Sequence, residues 1–524
     1  MSEQLAGRRM ASRAGSQGAL AATATVGGIA ALIGLTAGLA VAGNGSLGAA
    51  ISPVLLAAVL YVIWKTPLRL TLLALTFCML TLEDPHADLA GGHFRSPLAN
   101  ISAYLLGNLN SATGVEALHF SGLDCLTAFL LFLVLYRRAT GSGIDRRDQV
   151  ETSSPMGILS WVAFLSVAGF WVYGMVRGGD WNLSESLWQV QRLAYLPIVF
   201  FLFQAALRGP PDYRSLSQVL ITAAVVRGVA AILLRMYVHP PGGELLPVAT
   251  THEDSLLFVS AFAVLVAGVS ERPSNKRVLL CLAVLPLLIW AMVANNRRLV
   301  WVELAAVVIV FFVFSPRSEL KRKVMRVGVR VLPLLLLYTA VGWRSGNPIF
   351  VPVQALQAVT DPQTDASAEW REHENFNLVQ TIRNYPYLAF LGSGFGHQYA
   401  EWWPLPDVSQ AFPQYKYKPH NSILGLLNSA GLLGFAGFWT ILVGGVFLAA
   451  RSYHRAPRPD DRAEALSAIG IVVVYLIQAY GDLGFSAWNG VFIMGPALAI
   501  VAKLAVHTGA WPGKRLAPLR REQA

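Results

Sequence analysis

Apolar residues in this chain come in long, uninterrupted blocks, and that pattern constrains its fold more than any other feature. Blocks lie near residues 19–42, 48–64, 67–82, 120–136, 157–176, 188–207, 216–236, 255–270, 277–294, 299–315, 326–342, 421–449, 466–482 and 487–507. Most run for about 17 to 25 residues, enough to cross a hydrocarbon core roughly 30 Å thick. A water-soluble chain with so many such blocks would precipitate. The composition agrees: 54% of residues are hydrophobic and 14% charged, against about 25% charged in an ordinary soluble domain. The expected fold is an all-α polytopic membrane protein with about fourteen transmembrane helices.

Charge then orients the chain. Cytoplasmic loops of membrane proteins concentrate Lys and Arg. With the N-terminus in the cytoplasm, every expected inside segment is basic, from Arg8, Arg9 and Arg13 through the run Arg317 to Arg330 to the end beyond Lys503. An odd error in the helix count would scramble that alternation. The expected organisation is a basic tail over 1–18, helices over 19–342, a large outer loop over 343–420, helices over 421–507 and a basic tail over 508–524, with both termini cytoplasmic. The net charge of +11 is accounted for by these loops, and no nucleic-acid-binding motif accompanies it. Cys78, Cys125 and Cys281 fall inside apolar blocks, where structural burial is expected.

A loop as long as 343–420 is functional or disordered. This one carries Trp343, Phe350, Trp370, Phe376, Tyr385, Tyr387, Phe390, Phe395, Trp402, Trp403, Phe412, Tyr415 and Tyr417, and disordered segments lack such aromatics. The rings could anchor at the lipid interface or stack on sugars. A helix is expected within the loop, capped by Asp365 or Ser367, with an apolar stripe of Phe376, Val379 and Ile382. Asn384-Tyr385-Pro386 ends it. The following Gly392-Ser393-Gly394-Phe395-Gly396 reads as a flexible turn, or alternatively as an amide nest for an anion.

Several charged residues stand where the bilayer makes charge costly. Arg297 and Arg298 sit in a short outer hairpin, and Arg192 lies near the outer end of its helix. Such groups either snorkel to lipid phosphates or bind an anionic group, for which the planar guanidinium fork is well suited. Arg371 in the loop either pairs with Glu369, Glu372 or Glu374 or adds to the same site. Arg227 and Arg235 read as packing or snorkelling residues. His420 is the last loop residue before a helix, and histidine exchanges a proton near neutral pH. Asn421 beside it is placed as an N-cap. No Asp-x-Asp pair lies in an outer segment and no Walker loop occurs, so no nucleotide–metal site is indicated. No metal and no cofactor are expected.

His420-Asn421-Ser422-Ile423-Leu424, followed by Ala430-Gly431-Leu432-Leu433-Gly434, resembles the O-antigen ligase and polymerase family of bacterial envelope polysaccharides. Asn296-Arg297-Arg298 before Leu-Val-Trp resembles the family's helix-start arginine. Arg371 ahead of Pro386 and Gly392-Ser393-Gly394 resembles its loop arginine. The resemblance covers roughly residues 290 to 450. It implies a membrane-embedded glycosyltransferase-like fold in the bacterial inner membrane, with a periplasmic site. The implied donor is a glycan on undecaprenyl pyrophosphate, and the acceptor a lipid A–core sugar for a ligase or another repeat unit for a polymerase. His420 would act as base, and Arg298 or Arg297 with Arg371 would clamp the pyrophosphate, with Arg192 and Asn421 as further binding residues. A transporter is the reading from another class, though repeated halves with broken helices at the midplane are not evident.

Overall fold

In lipid every backbone polar group has to be bonded within the protein, which leaves the α-helix as the economical solution for an apolar block. The computed structural model follows that rule. It describes residues 27–45, 47–82, 102–103, 105–110, 115, 120–140, 155–238, 249–314, 319–350, 353, 357, 366–384, 386–405 and 415–511. The expected tail over 1–18, the end from residue 512, and Asp365, Tyr385 and Phe412 lie outside these residues.

Sixteen α-helices occur among them. They are α1 (Gly27–Ala42), α2 (Leu47–Lys65), α3 (Leu68–Thr81), α4 (Gly122–Thr140), α5 (Pro155–Arg177), α6 (Leu183–Ala206), α7 (Pro210–Tyr237) and α8 (Glu253–Glu271). They continue as α9 (Asn275–Asn295), α10 (Leu299–Phe314), α11 (Glu319–Gly342), α12 (Ala366–Asn384), α13 (Pro386–Leu391), α14 (Ser422–Arg455), α15 (Pro459–Gly481) and α16 (Trp488–His507). No β-strand occurs among the described residues. Ten helices are long and apolar enough to cross a membrane, and α1, α3 and α10 are shorter apolar helices. The chain is an all-α polytopic membrane protein. Among the described residues every expected apolar block falls on a helix, though ten of these helices, not fourteen, are long and apolar enough to span, and α7 and α15 begin earlier than their apolar runs, at Pro210 and Pro459. Proline at a first helical turn is pre-set for the helical φ, and the acidic Asp212, Asp460 and Asp461 favour that end.

The chain divides into two compact units. In the smaller one α2 meets α4: Trp64 packs on Phe129 and Tyr136, and Arg137 donates to the Trp64 carbonyl at 3.0 Å. The larger unit holds everything discussed below. Its centre is α16, of whose apolar window 94% is buried, whereas 6% of the α11 window is. α6, α8, α14 and α15 surround α16. Cys78 corrects the expectation of burial: it is exposed, on the outer face of α3, and Cys125 and Cys281 are half-buried; all three are free.

α14 is broken inside its span. Gly431 takes φ 57 and ψ −173, which no L-residue tolerates cheaply. The break frees the carbonyls of Asn428 and Ser429, and these accept the amides of Ser393 and Gly394, each at 2.8 Å. The Gly392–Gly396 segment therefore threads between α5 and α14 as a hydrogen-bonded insert. The Phe395 amide reaches the Phe170 carbonyl at 3.3 Å, and the Gly396 amide bonds Gln189. This corrects both earlier readings of the segment: it is neither a flexible turn nor an anion nest, because its amides are already spent on protein acceptors.

Candidate functional site

α12 organises the site. Its buried stripe corrects the expected Phe376, Val379 and Ile382. Glu374, Asn377, Leu378 and Thr381 are buried, while Phe376 is exposed. Three of these four are polar, a pattern that hydrophobic periodicity cannot find. They are buried because the 399–405 segment and His420 supply their partners. Asn377 accepts the amides of Trp402 and Trp403 at 2.9 and 2.6 Å and donates to the Trp403 carbonyl at 2.8 Å. Leu378 packs with Tyr399, Leu405 and Tyr415 in a small apolar core of its own.

Glu374 holds His420. The His420 amide donates to its Oε2 at 2.8 Å, and the ring Nδ1 lies 3.2 Å from Oε2 and 3.4 Å from Oε1. Glu374 is fully buried. Asn421 next door caps α14, its Oδ1 accepting the Leu424 amide at 3.1 Å, while its Nδ2 is buried without a hydrogen-bond partner.

One turn earlier on α12, Arg371 pairs with Asp482 at 3.1 Å. Asp482 caps the end of α15, buried, and its neighbour Leu483 donates its amide to the His420 carbonyl at 2.7 Å. Burial pushes the Asp482 carboxyl upward, but His252, Arg371, His420 and Arg297 outweigh it and hold the group below its ordinary value. Arg297 follows the left-handed Asn296 that ends α9. Burial lowers its pKa, Asp482 and Asp254 oppose this, and Arg371 adds to it. Arg298 is also lowered, by burial and then by Arg371. The structure thus brings Arg297, Arg371 and His420 around Asp482, with Arg298 coupled to Arg371.

Sequence reasoning missed three groups here. Glu374 stood only among several carboxylates close to Arg371, Asp482 sat at the end of an apolar block, and His252 carried no motif. His252 opens α8 half-buried. Burial and the nearby Arg297, His420 and Arg371 lower its pKa against the pull of Asp482. Its backbone is fixed by Gln478, whose Nε2 donates to the His252 and Asp482 carbonyls at 3.3 and 3.2 Å. Asn295 braces the same loop by accepting the amide and hydroxyl of Thr250 at 3.1 and 3.0 Å.

Arg192 is buried in α6. Its guanidinium lies 4.7 Å from the ring centres of both Trp188 and Trp488, and Nη1 donates to Gln191 at 3.2 Å. Arg227 fits the packing side of its reading and not snorkelling: fully buried, it makes a two-point ion pair from α7 to Asp254 on α8, at 2.6 and 3.2 Å.

The balance of charge is uneven. Arg371 crowds both Arg297 and Arg298, and Glu374 is engaged with His420. The Nε–H groups of Arg297 and Arg371 are buried with no acceptor. A buried donor without a partner costs about 1–3 kcal/mol. An anion with several oxygens would relieve both the repulsion and the unmet donors.

Residues 281–439 match a family described as O-antigen ligase. The matched stretch holds Arg297, Arg298, Arg371, Glu374 and His420, and excludes Asp482 and His252. No curated protein matches the chain. The match spans under a third of the chain, and over that stretch the chain is similar to the O-antigen ligase family.

Proposed function

We propose that this chain is an enzyme of the O-antigen ligase family and transfers a glycan from a polyprenyl diphosphate, such as undecaprenyl pyrophosphate, to a sugar hydroxyl, as a ligase acting at the periplasmic face of the bacterial inner membrane. The observation that carries the reading is the convergence of Arg297 and Arg371 on Asp482, each with an unmet Nε–H. Breaking the sugar–phosphate bond builds negative charge on the diphosphate, and fixed guanidinium groups stabilise that charge as it forms. Arg297, rather than Arg298, takes the leading place beside Arg371, because it carries the buried, unmet Nε–H and feels the pull of Asp482. Arg298 adds charge at the rim.

His420 takes the proton of the attacking hydroxyl. In this role Nδ1 faces the Glu374 carboxyl, 3.2 Å away, and Nε2 offers the lone pair. Attack forms the new C–O bond as the bond to diphosphate breaks, the polyprenyl diphosphate leaves with the electron pair, and the single displacement inverts the anomeric centre. The leaving diphosphate supplies the driving force.

The test is transfer by the purified protein in lipid nanodiscs, given a polyprenyl-diphosphate-linked oligosaccharide with and without a lipid A–core acceptor. Core glycosylation that depends on Arg297, Arg371 and His420 is expected. Lengthening of the donor without core would identify a polymerase with the same machinery, and release of neither product would overturn the reading.

A further inference from the structure

We propose that Trp402 and Trp403 form a carbohydrate-binding platform for the donor glycan, placed beyond the diphosphate site along α12. The inference rests on the glycan-transfer reading above and adds where the sugars lie.

The two indoles are 47% and 48% exposed, yet the backbone that carries them is pinned by the fully buried Asn377 through three hydrogen bonds. Rigidly displayed apolar surface rimmed by polar groups marks a binding site. The Trp403 ring is also held: it stacks on His373 at 4.1 Å and 17°, and meets Phe376 edge-on at 5.7 Å. An aromatic ring fixed in this way loses little conformational freedom when a ligand arrives.

The neighbourhood favours a sugar over a lipid chain. Glu401, beside Trp402, makes an ion pair with Lys416 at 2.9 Å and accepts the Leu405 amide at 2.7 Å. Glu372 is exposed on α12. An ion pair on the residue next to Trp402 would be costly in hydrocarbon. A pyranose has an apolar C–H face for the rings and hydroxyls for the carboxylates, the combination that aromatic-lined sites with a few placed polar groups recognise.

α12 also sets the distance. Arg371 addresses the diphosphate, Glu374 holds His420, and Asn377 holds the platform, at three-residue intervals on one helix. With a rise of 1.5 Å per residue, Arg371 and Asn377 are about 9 Å apart along the axis. The platform therefore receives sugars past the reacting one, so it acts on glycans of two or more units.

The experiment uses the full chain in nanodiscs with Trp402→Ala, Trp403→Ala and the double variant. Asn377 bonds backbone atoms that alanine retains, so the fold is expected to persist. For a donor with several sugars, KM should rise about tenfold or more in the double variant, equivalent to about 1.4 kcal/mol, with kcat unchanged. KM for a one-sugar donor should stay within about twofold, and Trp403→Phe should retain most of the affinity. Free oligosaccharide should quench wild-type tryptophan fluorescence, and the double variant should lose that response; this readout needs no turnover. Unchanged KM for the long donor, an equal loss with both donors, or a fluorescence response to added lipid alone would overturn the platform. A wild-type protein that binds the oligosaccharide but transfers nothing would keep the platform and sink the transfer reading instead.

Discussion

Glu374 grips His420 at two points, accepting its backbone amide at 2.8 Å and facing ring Nδ1 at 3.2 Å. The backbone bond fixes where the residue sits and the ring contact fixes how the imidazole turns. If His420 is the base, His420→Ala should lower kcat by about 10² to 10⁴. Glu374→Gln should lose part of that rate, about tenfold or more, because it unsettles the choice of protonated nitrogen, while donor KM stays near wild type. Stopped-time assays with lipid-linked donor would check both; a fully active Glu374→Gln enzyme would remove the carboxylate from this role.

The two neighbouring arginines should differ. Arg297 is held by the opposing pull of Asp482 and carries a buried unmet Nε–H, while burial and Arg371 set the Arg298 shift. Loss of one preorganised donor to a developing anion costs about 10² to 10³ in kcat. Arg297→Ala should show a loss of that order, and Arg298→Ala a much smaller one. Arg371→Lys should also fall by about 10²-fold, since an ammonium cannot reproduce the fork. Equal losses at Arg297 and Arg298 would contradict this assignment.

Stability should fall on acidification, for reasons with a definite sign. The folded His252 pKa lies below the ordinary 6.5, chiefly through burial. Below pH 6.5 the unfolded chain takes up the proton first, so stability declines as pH falls from there toward the folded value. Asp482 is depressed as well. Its contribution is complete above the unfolded carboxylate value, about 3.9, and is lost only as pH falls through the lower folded value. Melting temperature in detergent should therefore drop from pH 7 to pH 5, and His252→Ala should flatten that slope. An unchanged slope in the variant would assign the effect to another group.

Gly394 has no room for a side chain. A Cβ there would stand 2.2 Å from the Gly174 Cα, and Gly394 has φ +80. Gly394→Ala should cost about 1–3 kcal/mol through overpacking and backbone strain. It should also displace the insert that bridges α5 and α14. Thermal unfolding would show the loss, and a melting temperature equal to wild type would mean the segment can shift without penalty.

Much of this was legible in the chain. Block length and hydropathy place the helices, since a segment that must satisfy its own backbone in lipid has little choice of structure. The motif order running from the Arg297-Arg298 pair through Arg371 to His420 was readable too, though not which arginine of the pair leads, because those residue types are scarce in apolar surroundings. The local role of Gly392–Gly396 was not: spacing alone cannot distinguish a free amide from one spent on a carbonyl that a distant helix exposes by breaking at Gly431. The α12 stripe misled for a related reason. Glu374 and Asn377 look like surface residues until His420 and Trp402 arrive to bond them.

The sequence by itself determined that this chain is a helical membrane protein, and it supplied the arginines and the histidine near the ends of apolar blocks. Tertiary structure alone decided which groups meet. Asp482 lies far along the chain from Arg297 and Arg371, and only the folded chain, with α8 and α14 packed against α15, makes one carboxylate the hub for both guanidiniums. Covalent order sets local conformation over a few residues, whereas the field felt by a charge depends on everything within several ångströms in space.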